Sequence, residues 1–488
     1  MARSAESVAA VIKAYDVRGV VGTQIDEEFV REVGASFARL VRDDSAATRV
    51  VIGHDMRESS PTLAGAFAEG VVAQGLDVVL IGLASTDQLY FASGILDAPG
   101  AMFTASHNPA EYNGIKLCWA GAKPVGQQTG LGTISTDVIE GVPAYDGAPG
   151  TITEQDVLEQ YASFVRGLVD LSQMRPLKVA VDAGNGMGGH TVPATFGPLP
   201  IDLVPLYFEL DGTFPNHEAN PLDPANLVDL QRLVVESGAD VGLAFDGDAD
   251  RCFVVDERGG LVTPSAVTAL VAARELGKEP GATIIHNLIT SRVVPELVAE
   301  LGGKPVRTRV GHSFIKQQMA ETGAVFGGEH SAHYYFRDFW GADSGMLAAL
   351  HVLAALAGHD GSLSDLMASY NRYEASGEIN STVSDAADRT EAVVAAFADR
   401  TRSVDRLDGV TVELPGNTWF NLRASNTEPL LRLNVEAPPA RRSTHWSKKS
   451  WLSCVRDGSI RGSDNRSARC VCGVGPIRVC EERKGARS

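Results

Sequence analysis

The strongest constraint on the fold is a unit that occurs three times: an apolar strand, a polar loop, an amphipathic helix and a second apolar strand. The first copy runs from RVVIGHD (49–55), through a helix beginning near Ser60, to DVVLIGL (77–83). Leu63, Ala66, Phe67, Gly70 and Val71 fall on one face of that helix at helical spacing. The second copy is LKVAVDAGNG (177–186), a glycine-rich connection and IDLVPLY (201–207). The third starts at ATIIHNL (282–288), places Val294, Leu297, Val298 and Leu301 at helical spacing, and ends in PVRTRVG (305–311). Apolar strands alternating with such helices predict parallel sheets covered on both faces. The chain has 488 residues, and single cores rarely grow beyond about 250–300 residues. Three α/β domains are therefore expected, at residues 1–150, 151–256 and 257–369; one large doubly wound sheet is the alternative that periodicity leaves open. Residues 370–438 begin polar and close in WFNLRASN and LLRLNVE, which predicts a smaller α+β domain with antiparallel strands.

Charge is divided unevenly. The net charge is −18, yet residues 439–488 carry 12 Lys/Arg against 4 Asp/Glu, which leaves the first 438 residues at −26. A body that acidic does not attract nucleic acid through its overall field, so an anionic substrate needs a local positive cluster or a metal. No stretch reaches the roughly 18 uninterrupted apolar residues of a membrane helix, and Arg3, Glu6, Lys13 and Asp16 precede any long apolar run. Only Cys118 and Cys252 lie in the body, which implies no disulfide framework and a reducing compartment. The expectation is a cytoplasmic enzyme without membrane or nucleic-acid partners, monomeric or dimeric.

Four short motifs carry chemistry. Thr104-Ala105-Ser106-His107-Asn108-Pro109 follows the apolar GAMF on a loop, with a serine beside a histidine. Asp246-Gly247-Asp248-Ala249-Asp250-Arg251 follows the strand VGLAF. Three close carboxylates repel, each pair by about 4 kcal/mol at an effective dielectric of 20, unless a cation neutralises them. Oxygen-only ligands favour magnesium or calcium. In Gly327-Gly328-Glu329-His330-Ser331-Ala332-His333-Tyr334, an extended backbone points Glu329, Ser331 and His333 to one side. Arg423-Ala424-Ser425-Asn426-Thr427-Glu428-Pro429 offers an arginine, two hydroxyls, an amide and backbone N–H groups to a phosphate. Each has a bland counterpart: a chance Ser-His pair, a solvated acidic turn, the polar face of a strand, a capped turn.

In this order, from Tyr15 to Glu436, the motifs resemble the α-D-phosphohexomutase superfamily, most closely its phosphomannomutase/phosphoglucomutase branch. The resemblance implies three topologically similar α/β domains with mixed, mainly parallel sheets, and a smaller α+β C-terminal domain, around a central cleft. It implies an intramolecular phosphotransferase that interconverts mannose 6-phosphate and mannose 1-phosphate, and glucose phosphates too, through a hexose 1,6-bisphosphate. Ser106 would carry the phosphate, and Ser106, Asp246, Asp248 and Asp250 would bind Mg²⁺. His107 and Arg251 join the catalytic set, with Lys116 and His333 as acid–base candidates. Tyr15 and Arg18 (YDVRG), His312 and Lys316 (GHSFIK), Glu329 and Ser331 would bind the sugar phosphate. Arg423, Ser425, Asn426 and Thr427 would grip its distal phosphate. Arg18, Lys116, Arg251, Lys316 and Arg423 then supply the positive cluster that the acidic body lacks.

The resemblance stops near Pro439, where the chain turns rich in Arg, Ser, Gly and Cys without helical periodicity. The change in composition points to a shifted reading frame, and residues 439–488 are expected to be disordered. Competing readings are a glucose- or glucosamine-specific mutase, a phosphatase with an aspartate nucleophile in DGDAD, and a non-catalytic sugar-phosphate sensor.

Overall fold

The computed structural model describes residues 3–383, 385–424 and 430–439. It divides into two compact units, Met1–Arg372 and Tyr373–Ser488. Within the first unit the repeat is longer than the sequence pattern reveals. Its first copy is β1 (Arg49–His54), α1 (Ser60–Ala73), β2 (Asp77–Leu83), α2 (Thr86–Ile95), β3 (Gly100–Phe103) and β4 (Tyr112–Trp119). The second is β5 (Leu177–Asp182), α3 (Gly188–Phe196), β6 (Ile201–Leu206), α4 (Val228–Ser237), β7 (Val241–Phe245) and β8 (Cys252–Asp256). The third is β9 (Thr283–Asn287), α5 (Val293–Glu300), β10 (Lys304–Thr308), α6 (His312–Thr322), β11 (Phe326–Gly328) and β12 (Tyr334–Phe336).

All three sheets share one strand order. The second strand of each copy pairs with the first and the first with the third, all parallel; the fourth returns antiparallel beside the third. The central parallel strands are buried on both faces, as their unbroken apolar runs require: β7 (VGLAF) is buried at every position, whereas the edge strands β6 and β10 are largely half-buried or exposed. The sheets also take in edge strands beyond the expected domain limits, Ile152–Glu154 beside β2 and Leu261–Val262 beside β8. These short segments carry little periodicity, and only pairing assigns them to the preceding sheet.

The second unit is an antiparallel sheet of strands Glu374–Ala375, Ile379–Thr382, Ser403–Asp405, Val410–Leu414, Thr418–Ala424 and Leu430–Ala437. The helix Ala386–Ala396 packs on it, burying Val393 and Phe397 with Phe420, Leu422 and Leu433. Residues 440–488 lie outside the described residues. Among the described residues no helix is long and apolar enough to cross a membrane.

One buried carboxylate ties the three repeats together. Asp87, near the start of α2, accepts from Ser85 Oγ at 2.5 Å, Tyr161 Oη at 2.6 Å and Ser344 Oγ at 2.7 Å. Tyr161 lies on the helix Leu158–Gly167 that leads into the second repeat, and Ser344 caps the helix Gly345–Ala357 after the third. Burial raises the Asp87 carboxyl from 3.8 to about 6, against the pull of the three hydroxyl donors. The native state therefore binds the extra proton, and stability falls as pH rises through that window. In Asp87→Asn the slope is removed, so the stability difference between the unmodified chain and the variant should shrink by about 2 kcal/mol between pH 4 and 7. Urea unfolding at stepped pH measures it; a difference that stays flat refutes the assignment.

Candidate active site

Three of the four motifs occupy the same topological position, the connection from the third to the fourth strand of each repeat. The Ser106 loop joins β3 to β4, the acidic loop joins β7 to β8, and the Glu329–His333 loop joins β11 to β12. Each leaves the carboxyl end of a parallel strand, where open α/β sheets place their ligand sites. The loops meet at a cavity of about 170 Å³.

Ser106 has φ +50°, in the left-handed region, and its amide donates to Thr104 Oγ1 at 2.8 Å. Its hydroxyl donates to Asp246 Oδ2 at 2.9 Å. The acidic loop lies flat against this backbone: a Cβ at Gly247 would stand 2.4 Å from the Ser106 carbonyl oxygen, so only glycine fits. Arg251 donates through Nε to Asp246 Oδ2 at 2.8 Å and through Nη2 to His107 Nδ1 at 2.6 Å. Burial, then the Arg251 and Arg18 charges, push His107 down to about 2. His107 is thus a neutral ring whose Nδ1 accepts from Arg251.

The three aspartates are buried and their nearest oxygens lie within 4.8 Å of one another. Lys116 Nζ donates to Asp248 Oδ2 and Asp250 Oδ2, both at 2.6 Å, and Thr86 Oγ1 donates to Asp248 at 2.5 Å. Burial works to discharge Lys116, but Asp248 and Asp250 outweigh it and hold the ammonium well above the usual lysine range. Burial works to raise Asp248 as well, and Lys116 outweighs that too. Asp246 goes the other way: burial, with Asp250 and Asp248 nearby, lifts it to about 7 despite Arg251. Asp248 Oδ1 and Asp250 Oδ1 remain buried without a hydrogen-bond donor. A set of oxygen donors with two unpartnered carboxylate oxygens fits a hard divalent cation such as Mg²⁺.

Around this centre, Arg18 donates to Asn108 Oδ1 at 2.6 Å and pairs with Asp16 at 2.7 Å. Tyr15 lines the same cavity. Lys316 is buried, paired with Asp343 at 2.8 Å, and its Nζ lies 4.5 Å from the centre of the Tyr90 ring. His333 Nε2 is 3.7 Å from Asp250 Oδ1 and 4.0 Å from Asp343 Oδ2, while Nδ1 is 3.3 Å from Ser331 Oγ.

The third loop departs from the expected extended segment. Glu329 N donates to His333 O at 3.0 Å, and Ala332 at φ +65° closes the chain into a turn. Glu329 is consequently buried under the hydroxyl of Tyr335 (2.6 Å) and the amide of Asn287 (3.1 Å), while His333 faces the cavity. Alternation along a strand does not survive a left-handed residue. His312 opens α6, and its side chain lies outside the described residues. Arg423 belongs to the second unit, near Glu378 (3.6 Å) and Asp408 (3.8 Å); Ser425, Asn426 and Thr427 lie outside the described residues. Sequence reasoning missed Thr86, Tyr90 and Asp343. Each stands outside the motifs, and only pairing with Lys116 or Lys316 gives it a role.

Gly247→Ala should force the two loops apart, lowering stability by about 1–3 kcal/mol and weakening Mg²⁺ binding at least about tenfold. Thermal unfolding and calorimetric titration with Mg²⁺ check both, and unchanged affinity would show that the loops are not held in register.

Four family models of the phosphoglucomutase/phosphomannomutase group match in order. Alpha/beta/alpha domain I covers residues 9–138, domain II 159–260, domain III 263–373, and the C-terminal domain 378–448. The last match continues past Pro439, so the likeness reaches further than the motifs suggested. Curated relatives include phosphohexose mutases of Xanthomonas campestris pv. campestris, 41% identical over 428 residues, covering 87% of this chain and 94% of the relative. A phosphomannomutase of Escherichia coli is 39% identical over 437 residues, with the same coverage. A crystal structure of a phosphoglucomutase/phosphomannomutase family protein from Burkholderia thailandensis superposes with a TM-score of 0.82 at 32% identity, covering 93% of this chain and 98% of that one. With its repeated sheet, its three converging loops and these matches along nearly the whole body, the chain belongs to the phosphoglucomutase/phosphomannomutase family.

Proposed function

We propose that this protein is a phosphomannomutase that interconverts mannose 6-phosphate and mannose 1-phosphate, turns over glucose phosphates as well, and works through a phosphoserine at Ser106 and a hexose 1,6-bisphosphate. The observation that carries this reading is the Ser106 hydroxyl, 2.9 Å from Asp246 at the head of a buried carboxylate triad. The names of the relatives support the choice of sugar: phosphomannomutase in Escherichia coli and phosphomannomutase/phosphoglucomutase in Pseudomonas aeruginosa.

Asp246, Asp248 and Asp250, with the phosphate on Ser106, would hold Mg²⁺, which when bound neutralises that phosphate and polarises its oxygens. A phosphoserine adds about −1.5 to −2 charge, and Arg18 and Arg251 are the side chains placed to receive it. In the first transfer the sugar hydroxyl attacks phosphorus, its O–P bond forms, and the bond from Ser106 Oγ breaks. Lys116 is held charged by two carboxylates, so in this reading it steadies the departing serine oxygen. His333 then accepts the proton of the attacking hydroxyl. The bisphosphate turns over, its other phosphate returns to Ser106, and the proton goes back to the sugar oxygen. Arg423, Ser425, Asn426 and Thr427 would grip whichever phosphate is distal, and Tyr15, Lys316, His312 and Ser331 would hold the sugar, with Glu329 buried behind them on Tyr335 and Asn287. Mannose and glucose differ in the orientation of one hydroxyl, which a site discriminates strongly only by bonding that hydroxyl.

The test is turnover of mannose 1-phosphate with Mg²⁺ and a trace of sugar 1,6-bisphosphate. Ser106→Ala is expected to lose at least about a thousandfold in kcat/KM, and chelation of Mg²⁺ should abolish turnover. The kcat/KM values for mannose and glucose phosphates are expected within about a hundredfold of each other. Activity that survives in Ser106→Ala, or release of free phosphate without isomerised sugar, would refute the proposal.

A further inference from the structure

We propose that Arg57 is a positioning residue that holds the Ser106 loop in its reactive geometry; the role rests on Ser106 being the phosphate carrier. Arg57 lies in the connection between β1 and α1, and its side chain is 1% exposed. Nη2 donates to the carbonyl oxygens of Ser106 at 2.9 Å and Asn108 at 2.7 Å. Nη1 donates to those of Pro109 at 2.8 Å and Tyr112 at 3.0 Å. Nε faces Asp55 Oδ2 at 3.3 Å. The two terminal nitrogens of the guanidinium thus direct four hydrogen bonds at backbone carbonyls between Ser106 and Tyr112, while Nε is paired with Asp55 by charge alone.

The loop needs such a partner. Its left-handed Ser106, at φ +50°, is a conformation that costs on the order of 1–3 kcal/mol and persists only where the surroundings over-determine it. Arg57 brackets that residue by gripping its carbonyl and the one two residues on. The grip is itself braced. Asp55 Oδ1 accepts from Arg57 N at 3.0 Å and Ser60 Oγ at 2.6 Å, and Asn113 at the start of β4 donates to Ser59 and Ser60. From the second repeat, Phe214 lays its ring 5.0 Å from the guanidinium carbon, and a Cβ at Gly212 would stand 2.7 Å from Arg57 Cα. A planar fork is required here: a lysine offers a single point of donation and leaves most of these carbonyls unbonded.

The experiment compares Arg57→Lys and Arg57→Ala with Ser106→Ala in the full chain. It reads thermal unfolding, Ser106 phosphorylation by intact-mass spectrometry, and kcat and KM for mannose 1-phosphate. Both arginine variants are expected to fold and to carry phosphate on Ser106, yet to lose about a hundredfold in kcat at nearly constant KM. Added ethylguanidinium is expected to restore activity in Arg57→Ala and not in Arg57→Lys. A folded Arg57→Lys with kcat within about twofold of the unmodified chain overturns the proposal. So does a loss that only tracks the unfolded fraction, or the absence of folded protein in both variants, since either makes Arg57 a general structural residue. If Ser106→Ala keeps its mutase activity, the carrier assignment itself fails, whatever the arginine variants do, and the role of Arg57 falls with it.

Discussion

The site is organised around an imbalance of buried charge. Asp246, Asp248 and Asp250 are shielded from water, and the cations in contact with them are Lys116 and Arg251. Three carboxylates against two cations leave one negative charge that burial makes expensive, which is why Asp246 is pushed up to about 7. A divalent cation relieves that excess and tolerates a further anion beside it, such as a phosphate on Ser106. The same imbalance explains why an acidic chain can handle an acidic substrate: positive charge is concentrated where Arg18, Lys116, Arg251 and Lys316 border one cavity, while the overall field contributes nothing attractive.

Topology delivers these groups to one place. Each repeat turns its chain from a parallel third strand into an antiparallel fourth strand, and that turn carries one of the three motif loops. The crossover helices bury the sheets from both faces and leave the carboxyl ends of the strands free. Asp87, with hydroxyl donors from the helix before the second repeat and the cap after the third, keeps the repeats in register. The aromatic stack of Phe164 on Trp340, with ring centres 5.2 Å apart, adds an apolar contact between the same segments.

Much of this was legible in the chain. Apolar runs of strand length gave away β1, β5 and β9, because doubly covered strands cannot alternate with polar residues. The DGDAD carboxylates favoured a cation over a solvated turn, since three close charges repel unless something neutralises them. The turn at Glu329–His333 was read as extended because nothing in its letters marks Ala332 as left-handed. Arg57 went unnoticed because its partners are carbonyl oxygens, which every residue possesses and no sequence pattern displays.

By itself the sequence determined local chemistry: where the repeated strands and helices fall, which loops carry a serine beside a histidine, carboxylates or basic groups, and how many times the unit repeats. These follow from side-chain type and spacing over a few residues. Only the tertiary structure decided that Ser106 meets Asp246, that Lys116 is shared between Asp248 and Asp250, and that Asp343 stands behind Lys316 and His333. Such contacts join residues that are more than a hundred positions apart or masked by bland surroundings. Their charge states follow from burial, which is a property of the assembled fold.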